Sequence, residues 1–445
     1  MNAHRLISRL AERGLDAPEL PAKRALYERA LKTFEQSTGR LPEHAWWVPG
    51  RLEVFGKHTD YAGGRTLVAA VPRGIALLAA PGADGIVTVT DAHSGDHVTL
   101  GSSQPARALT GWRAYVNVVV GRLARNFPGV SWSADIVFAS DLPRASGMSS
   151  SSVLVVGVAT ALARLADLAS RAEWQANIRG PLDAAGYFGC IENGSRFGAL
   201  TGDDGVGTHG GSEDHTAILC ATRGHVSAYA FMPVRHIASA RVPNEWQFVI
   251  ASSGVRAQKT GAAREAYNRL SRGTQILLEL WRTHESSAPS LAAALAADTS
   301  APERLIEAVR RSDISGWNAT SLERRLAHFV REDARVPEAL RAFQAADAAA
   351  IASIAAASQA EAETLLGNQV PETIALVRSA LRLGAIAANG FGAGFGGSVW
   401  ALVQRDAALG FGARWLDAYE SPYAPRAVAF VAAPGPPLTE LSSRM

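Results

Sequence analysis

Cysteines, lysines and long apolar runs are scarce in this chain of 445 residues. The two cysteines, Cys190 and Cys220, are too few for a disulfide framework and fit a protein of a reducing compartment. Their spacing offers no paired zinc ligands. No apolar run reaches the roughly 20 residues that a membrane-spanning helix needs. These absences argue against a disulfide-rich scaffold, a zinc domain and an integral membrane protein.

The chain also has little excess charge, since 44 basic and 41 acidic residues leave a formal charge of +3. Because no basic block stands out, we expect neither a nucleic acid nor an anionic membrane as a partner. The N-terminal stretch MNAHRLISRLAERGLDAPEL mixes charged and apolar residues and lacks a signal-peptide core. We interpret it as an amphipathic helix and predict a cytoplasmic protein. The hydrophobic content of 47% is enough to fill the cores of a globular protein of this length.

Only four of the 44 basic residues are lysines, and one of them, Lys57, lies in GRLEVFGKHTDYAGG at residues 50–64. This stretch resembles a phosphate-binding loop at first sight. However, five residues separate Gly50 from Gly56 where that loop has four, and His58 follows the lysine where the loop has Ser or Thr. The stretch is therefore not a phosphate loop, and on charge alone a solvated turn is an equal alternative.

A better candidate for phosphate binding is LPRASGMSSSS at residues 142–152, between a predicted strand and a long apolar helix. Small residues let the backbone approach a ligand closely, and a helix N-terminus presents unpaired N–H groups with partial positive charge. A simple N-cap needs one serine, whereas four successive serines, Ser149 to Ser152, occur here. We therefore predict that this loop binds an anion.

Two further loops are dense in glycine. GFGAGFGGSVWALV, at residues 390–403, has five glycines in its first eight positions and then a predicted strand, which indicates close backbone packing, with a hinge as the alternative. CIENGSRFGALTGDDGVGTHGGSEDH, at residues 190–215, carries several carboxylates that could bind a metal or act as a base. Taken alone, the second loop is better explained as a solvated acidic loop.

Together these stretches resemble the signatures of the galactokinase branch of the GHMP small-molecule kinases. PGRLEVFGKHTDYAGG is similar to the signature G-R-x-N-x-I-G-E-H-T-D-Y-x-x-G, LPRASGMSSSS to the nucleotide loop P-x-G-x-G-L-S-S-S-A, and GFGAGFGGSVWALV to the third motif G-x-G-F-G-G. The resemblance implies an α+β fold of two domains, a ribosomal-protein-S5-like N-terminal domain and a C-terminal domain of split βαβ type. We place these domains at residues 1–235 and 236–445, with the active site between them.

The resemblance also implies ATP and Mg²⁺ as cofactors and assigns roles to individual residues. Asp214 is the expected base for the anomeric hydroxyl of the sugar, and Arg51 is expected to stabilise that aspartate and the transferring phosphoryl group. The expected substrate-binding residues are Lys57, His58, Asp60, Tyr61 and Gly211. The expected nucleotide-binding residues are Trp112, Gly147, Met148, Ser149, Ser150 and Ser151. The expected metal-binding residues are Ser150 and Glu192.

The chain departs from the family pattern most clearly at Lys57, where galactokinases have a glutamate that accepts from the C6 hydroxyl of the sugar. An ammonium donates instead, so one expectation is a substrate with a carboxylate at C6. The other is a structural pair of Lys57 with Glu53, which replaces the signature asparagine. Ala145 replaces a loop glycine and leaves the loop geometry open. Residues 198–207 are an insertion that we expect to face the sugar site.

The sequence thus predicts an ATP-dependent kinase for the anomeric hydroxyl of a galactose-like monosaccharide. A uronic acid 1-kinase, such as a galacturonokinase, is the alternative that Lys57 suggests. A non-catalytic sugar sensor on the same fold is an alternative from another class, and the retention of Asp214 and Arg51 argues against it. A serine hydrolase is a much weaker interpretation, since no G-x-S-x-G elbow surrounds the serine run.

Overall fold

The computed structural model describes residues 1–101, 109–143, 147–255, 261–285 and 287–442. Ala145, where the sequence replaces a loop glycine, lies outside the described residues. Within the described ranges, no helix combines the length and the apolar character needed to cross a bilayer.

Strands and helices occur largely in separate runs along the chain, which fits the α+β prediction. The helices are α1 (Ala3–Glu12), α2 (Leu20–Thr38), α3 (Trp112–Asn126), α4 (Ser150–Leu165), α5 (Ala172–Asn177), α6 (Pro181–Asn193), α7 (Glu213–Cys220), α8 (Gly261–His284), α9 (Leu291–Leu295), α10 (Ala301–Arg311), α11 (Ala319–Gln344), α12 (Ala348–Glu361), α13 (Pro371–Arg382) and α14 (Ala408–Asp417). The strands are β1 (His44–Phe55), β2 (Arg65–Ala80), β3 (Ile86–Asp91), β4 (His97–Gly101), β5 (Ala134–Ser140), β6 (His225–Ala230), β7 (Arg235–Arg241), β8 (Trp246–Ser252), β9 (Ala387–Phe391), β10 (Ser398–Gln404), β11 (Val428–Val431) and β12 (Thr439–Glu440).

The first sheet has the strand order β12-β1-β2-β5-β3-β4, with β6 paired to β2 and β7 to β6. The pair β3 and β5 is parallel, and β1 and β2 run antiparallel over most of their length. Because successive side chains of a strand point to opposite faces, Trp46 and Trp47 enter different cores. Trp46 packs with residues of α3 and α4, and Trp47 packs with residues of α1 and α2. Helices therefore cover both faces of β1, which makes it a firm support for the side chains at its end.

The second sheet has the order β11-β8-β10-β9, and its pairs are antiparallel. One face packs on α13 and α14. The other face joins the main core, where Phe248 and Trp400 meet edge to face with their ring centroids 5.7 Å apart. The proposed domain boundary falls at the first residue of β7, which pairs with the first sheet, and the second sheet begins at Trp246. The division at residue 235 remains a prediction.

Helices α8 to α11 form a separate apolar cluster around Trp281, Leu305 and Phe329. Ala62, in the loop that follows β1, belongs to the same cluster. The loop that carries the sugar signature is thus held against helices that come more than 200 residues later in the chain.

Candidate active site

A cavity of about 790 Å³ opens where the loops of the two sheets meet, a size suited to a small-molecule ligand. Its wall combines three kinds of group from separate parts of the chain. The ionisable side chains include Arg51, Glu53, His58, Asp60, Glu192, Glu213 and Asp214, the aromatic side chains include Tyr61, Trp112, Tyr115, Phe138 and Tyr267, and the hydroxyl groups include those of Ser149, Ser150, Ser151 and Ser152.

Arg51 joins three of the predicted motifs. It lies on β1 just after an irregularity in the pairing at Pro49, and its side chain is buried. Its Nε donates to Asp214 Oδ1 at 2.7 Å and lies 2.9 Å from Glu213 Oε1, while Nη1 donates to the Gly147 carbonyl at 3.1 Å. Burial alone would lower the pKa of Arg51, but Asp214 and Glu213 raise it above its ordinary value. The guanidinium therefore stays charged beside the carboxylate of Asp214.

Asp214 also lies close to helix α4, through the hydroxyl of Ser152, for which no role was predicted. Ser152 Oγ lies 2.8 Å from Glu192 Oε2 and 3.2 Å from Asp214 Oδ2, so these two carboxylates share its one hydroxyl proton. The family loop has alanine at this position, so the serine was a visible departure from the pattern. Ser150, which was predicted to bind metal with Glu192, is exposed at the first position of α4 and lines the cavity.

The serine loop has the features of an anion site at a helix start. Ser149 precedes α4 in the left-handed conformation, with φ of 62°. Its Oγ is enclosed and finds no hydrogen-bond partner within the described ranges. The loop touches the glycine-rich loop of the second sheet, because a Cβ at Gly392 would lie 2.8 Å from the Gly147 carbonyl oxygen. Both loops therefore contribute backbone to the place where a phosphate would meet the helix N-terminus.

The other predicted nucleotide-binding residues differ in where they lie. Trp112 lines the cavity and meets Phe138 edge to face, with ring centroids 5.3 Å apart. Gly147 and Ser151 line it as well. The Met148 side chain is buried in the main core and does not line the cavity, so its side chain is not placed to contact a nucleotide there.

Four of the predicted substrate-binding residues lie together on the cavity wall: His58, Asp60, Tyr61 and Gly211. Asp60 Oδ2 accepts from the Glu213 amide at 3.1 Å, and burial raises the pKa of this carboxyl group. Gly211 has no room for a side chain, since a Cβ would lie 2.2 Å from Asp60 Oδ2. His58 Nδ1 lies 2.8 Å from the Tyr61 hydroxyl. The signature loop and the acidic loop therefore build one surface.

The fifth predicted substrate residue, Lys57, is not part of this surface. Its side chain is fully buried and does not line the cavity. Its Nζ donates to Ser358 Oγ at 3.0 Å and to Asn389 Oδ1 at 2.8 Å, between α12 and β9. No ion pair joins Lys57 to Glu53 in the described part of the chain, so the direct pair that the sequence suggested does not form. Burial lowers the pKa of Lys57, against the opposing effect of Glu332 and Glu53.

The insertion at residues 198–207 is likewise absent from the described cavity wall, which resumes at Thr208. It docks on α3 instead. Asp203 Oδ1 lies 3.1 Å from Nη1 of the buried Arg122, and Asn126 Nδ2 donates to the Thr201 carbonyl at 3.1 Å. The expectation that this segment faces the sugar site does not fit these contacts.

Glu53, Glu213 and Tyr267 are among the cavity residues that were not predicted to bind substrate, nucleotide or metal. Glu53 lies two residues beyond Arg51 on β1, and strand alternation could have indicated that the two share a face. Burial raises the pKa of Glu53 to about 7 and also raises that of Glu213. Tyr267 comes from α8, with its ring centroid 5.2 Å from that of His58. No local motif marks this tyrosine, so only the tertiary structure could find it.

Three family models match the chain in order. The galactokinase galactose-binding signature matches residues 32–81, the GHMP kinase N-terminal domain matches residues 114–187, and the GHMP kinase C-terminal domain matches residues 339–420. The first match contains Arg51 and the signature loop at residues 56–64. The second contains the serine loop and Glu192 lies just beyond its end.

Curated relatives align along most of the chain. The galactokinase of Streptomyces coelicolor is 27% identical over 382 residues, which cover 83% of this chain and 87% of the relative. The galactokinase of Chloroflexus aurantiacus is 28% identical over 397 residues, with 87% and 90% covered.

Solved structures agree on the fold. The Lactococcus lactis galactokinase complexed with galactose superimposes with a TM-score of 0.77 at 22% identity and covers 93% of this chain and 99% of its own. The Methanococcus jannaschii mevalonate kinase gives a TM-score of 0.56 at 12% identity, with 87% and 97% covered. The predicted two-domain α+β fold is thereby confirmed. With three family signatures in order and curated relatives that align along most of its length, the chain is similar to the galactokinase branch of the GHMP small-molecule kinases.

Proposed function

We propose that this protein is an ATP-dependent sugar kinase that phosphorylates the anomeric hydroxyl of galactose or a closely related monosaccharide. One observation carries the proposal. The carboxylate of Asp214 is bound by Arg51 on one side and by Ser152 on the other, inside a cavity shared by the sugar signature and the serine loop. The named activity of the curated relatives supports the same reaction.

In the proposed reaction, the oxygen of the anomeric hydroxyl of the sugar forms a bond to the γ-phosphorus of ATP. Asp214 accepts the proton that this hydroxyl loses. The bond from that phosphorus to the bridging oxygen of ADP breaks. Arg51 keeps Asp214 ionised and offers positive charge to the transferring group, which is the main contribution that a protein makes to phosphoryl transfer. The backbone of the serine loop and the enclosed Ser149 hydroxyl would bind the phosphate oxygens.

The oxygen-rich surroundings of Glu192 suit Mg²⁺. Mg²⁺ prefers oxygen ligands and is usually held by one or two carboxylates together with substrate phosphates and water. Glu192, with the hydroxyl of Ser152 or Ser150, fits this mode. In the described part of the chain no group of three or more ligating side chains could hold a metal alone, so the ion would arrive with the nucleotide. Bound there, it would neutralise charge on the phosphates.

The geometry supports neither the alternative of a uronic acid 1-kinase nor that of a non-catalytic sugar sensor. The ammonium of Lys57 is bonded to Ser358 and Asn389, which removes the reason to expect a carboxylate at C6 of the sugar. A sensor without activity has no need of an aspartate held between Arg51 and Ser152. We keep the cytoplasm as the predicted location.

ADP release in the presence of galactose, ATP and Mg²⁺ tests the proposal. We expect sugar-dependent ADP release and a product whose phosphorus resonance couples to the anomeric proton. Replacing Asp214 by Asn should abolish it without preventing nucleotide binding. The proposal fails if the protein binds ATP but releases no ADP with any neutral or amino hexose.

A further inference from the structure

Two buried carboxyl groups on the cavity wall each have one oxygen atom that accepts no hydrogen bond from the described residues. Glu53 and Glu213 are 3% and 4% exposed and both line the cavity. The enclosed Oε1 atom of each makes no hydrogen bond with any described residue. Glu213 Oε1 lies 2.9 Å from Arg51 Nε, but that N–H donates to Asp214. Buried polar groups left without donors require an explanation, and a missing ligand is one.

The local charges point to the kind of ligand. Arg51 is the one guanidinium beside Glu53, Glu213 and Asp214 on the described cavity wall. Lys57, the other cation near Glu53, has its ammonium bonded elsewhere. Glu53 adds to the effect of burial in raising the pKa of Glu213, so the two carboxyl groups repel each other when both are ionised. A cation that entered the cavity would let both ionise at once.

The position of Glu213 limits where that cation sits on a sugar. Glu213 and Asp214 are neighbours in the chain, and both reach the same nitrogen of Arg51, at 2.9 and 2.7 Å. If Asp214 faces the anomeric hydroxyl at C1, the group beside Glu213 is a substituent on a ring atom next to C1. The ring neighbours of C1 are C2 and the ring oxygen, and of these only C2 carries a substituent.

An ammonium suits the pair better than a metal ion. An ammonium group is satisfied by three acceptors, whereas Mg²⁺ demands near-octahedral coordination by oxygen. The described residues contain no set of three metal-ligating side chains here. Resting on the anomeric kinase activity proposed above, we propose that Glu53 and Glu213 bind the ammonium group of a 2-amino sugar, so that the enzyme prefers a hexosamine to galactose.

Rates of ADP release with galactosamine, galactose and galacturonate test this preference. For the wild-type protein we expect kcat/KM to be at least tenfold higher for galactosamine than for galactose, and no measurable turnover of galacturonate. In Glu53→Gln and Glu213→Gln, singly and together, the ratio should fall to about one or below. The amides keep the shape of the side chains and remove a buried charge, so these variants should fold.

Asp96→Asn is the control, because it removes an exposed carboxylate from the same cavity wall. It should leave the ratio of the two sugars unchanged. The rise in Tm that each sugar causes provides a second readout that needs no turnover. Galactosamine should stabilise the wild type more than galactose does, and the Gln variants should lose that difference.

The outcomes separate the two proposals. If galactose is turned over as well as galactosamine, or if the Gln variants keep the wild-type ratio, the ammonium subsite is refuted and the kinase proposal stands. If no sugar is turned over, the kinase proposal fails, and the Tm shifts then decide the subsite alone. Equal Tm shifts for the two sugars would refute it.

Discussion

Two buried charged clusters adjoin the sugar signature, and they differ in how well their charges are satisfied. In the Lys57 cluster, which consists of Lys57, Glu332, Ser358 and Asn389, the carboxylate of Glu332 accepts at Oε1 from the amides of Gly56 and Lys57 and from Ser358 Oγ. In the Arg51 cluster, which consists of Arg51, Glu53, Glu213 and Asp214, three carboxyl groups face one cation and the cluster opens onto the cavity. The charges of the Lys57 cluster are compensated inside the fold, although the buried Asn389 Nδ2 has no partner among the described residues, whereas the Arg51 cluster has excess acidic groups that a ligand could pair.

The two clusters also differ in the direction in which the pKa of a buried glutamate is shifted, as Glu332 and Glu53 show. Burial tends to raise the pKa of both. At Glu332 the Lys57 ammonium, the Gly56 amide and Arg335 outweigh burial, and the pKa lies below its ordinary value. At Glu53 burial prevails over Arg51 and Lys57, and the pKa rises to about 7. At neutral pH the ionised Glu332 thus stabilises the fold, whereas ionised Glu53 destabilises it.

The largest effect on activity should follow from replacing Asp214, the proposed base, in the Arg51 cluster. Asp214→Asn keeps the shape of the side chain but removes the proton acceptor, and kcat should fall by about a thousandfold. The measurement is ADP release at saturating ATP and sugar, with Tm as the check that the fold is intact. A fall of less than about tenfold would mean that Asp214 is not the base.

Disabling the Lys57 cluster should affect stability instead. Lys57→Met removes the cation that most lowers the pKa of Glu332, leaves this buried carboxylate only its ion pair with Arg335, and should lower the free energy of unfolding by about 3 kcal/mol. Urea denaturation measures this loss. Adding Glu332→Gln to the same chain should restore part of it, since no uncompensated charge then remains.

Lys32→Met is the control for that experiment, because Lys32 is exposed. Its effect should stay within about 0.5 kcal/mol. If Lys57→Met is as mild as this control, or if Glu332→Gln restores nothing, the Lys57 cluster does not stabilise the protein as described.

A smaller effect is expected at Ser152, which connects Asp214 to Glu192. Ser152→Ala removes the one hydroxyl proton that the two carboxylates share, and a hydrogen bond to a charged group contributes about 1.5–3 kcal/mol. We expect kcat to fall about tenfold, with little change in Tm. An unchanged kcat would show that neither carboxylate depends on this hydroxyl.

The smallest effect is a pH dependence of stability at Glu53. Burial raises the pKa of Glu53 to about 7 in the folded protein, whereas the unfolded chain releases this proton near the ordinary pKa of 4.5. Because the native state binds more protons in that window, the contribution of Glu53 to stability is full below about pH 4.5 and is lost as the pH rises through about 7. The advantage in Tm of Glu53→Gln over wild type should therefore grow by a few degrees between about pH 5 and pH 8. A difference that is flat with pH would contradict the raised pKa.

Local patterns predicted the elements that carry the motifs. The aromatic and branched residues of β1 and β2, and the apolar run of α4, are strong signals of strand and helix, and the structure has them there. The pairing of β12 with β1 is a different matter, since two residues near the C-terminus carry no periodicity of their own. Long-range pairing of this kind depends on the packing of the whole domain.

At the site, the sequence indicated which loops meet but not the direction of every side chain. Arg51, Asp60 and Asp214 were expected to converge, and the structure brings them together. Lys57 was expected among them and points elsewhere, because Glu332, Ser358 and Asn389 offer it acceptors in the interior. Nothing within ten residues of Lys57 could have indicated those partners.

By itself, the sequence indicated the family resemblance and the fold class and predicted the candidate reacting groups, since these depend on residue types at fixed spacings in contiguous motifs. Only the tertiary structure decided that Lys57 stabilises the fold while Glu53 and Glu213 line the cavity. A charged side chain turns toward whichever partners packing brings near it, and here those partners come from segments hundreds of residues apart.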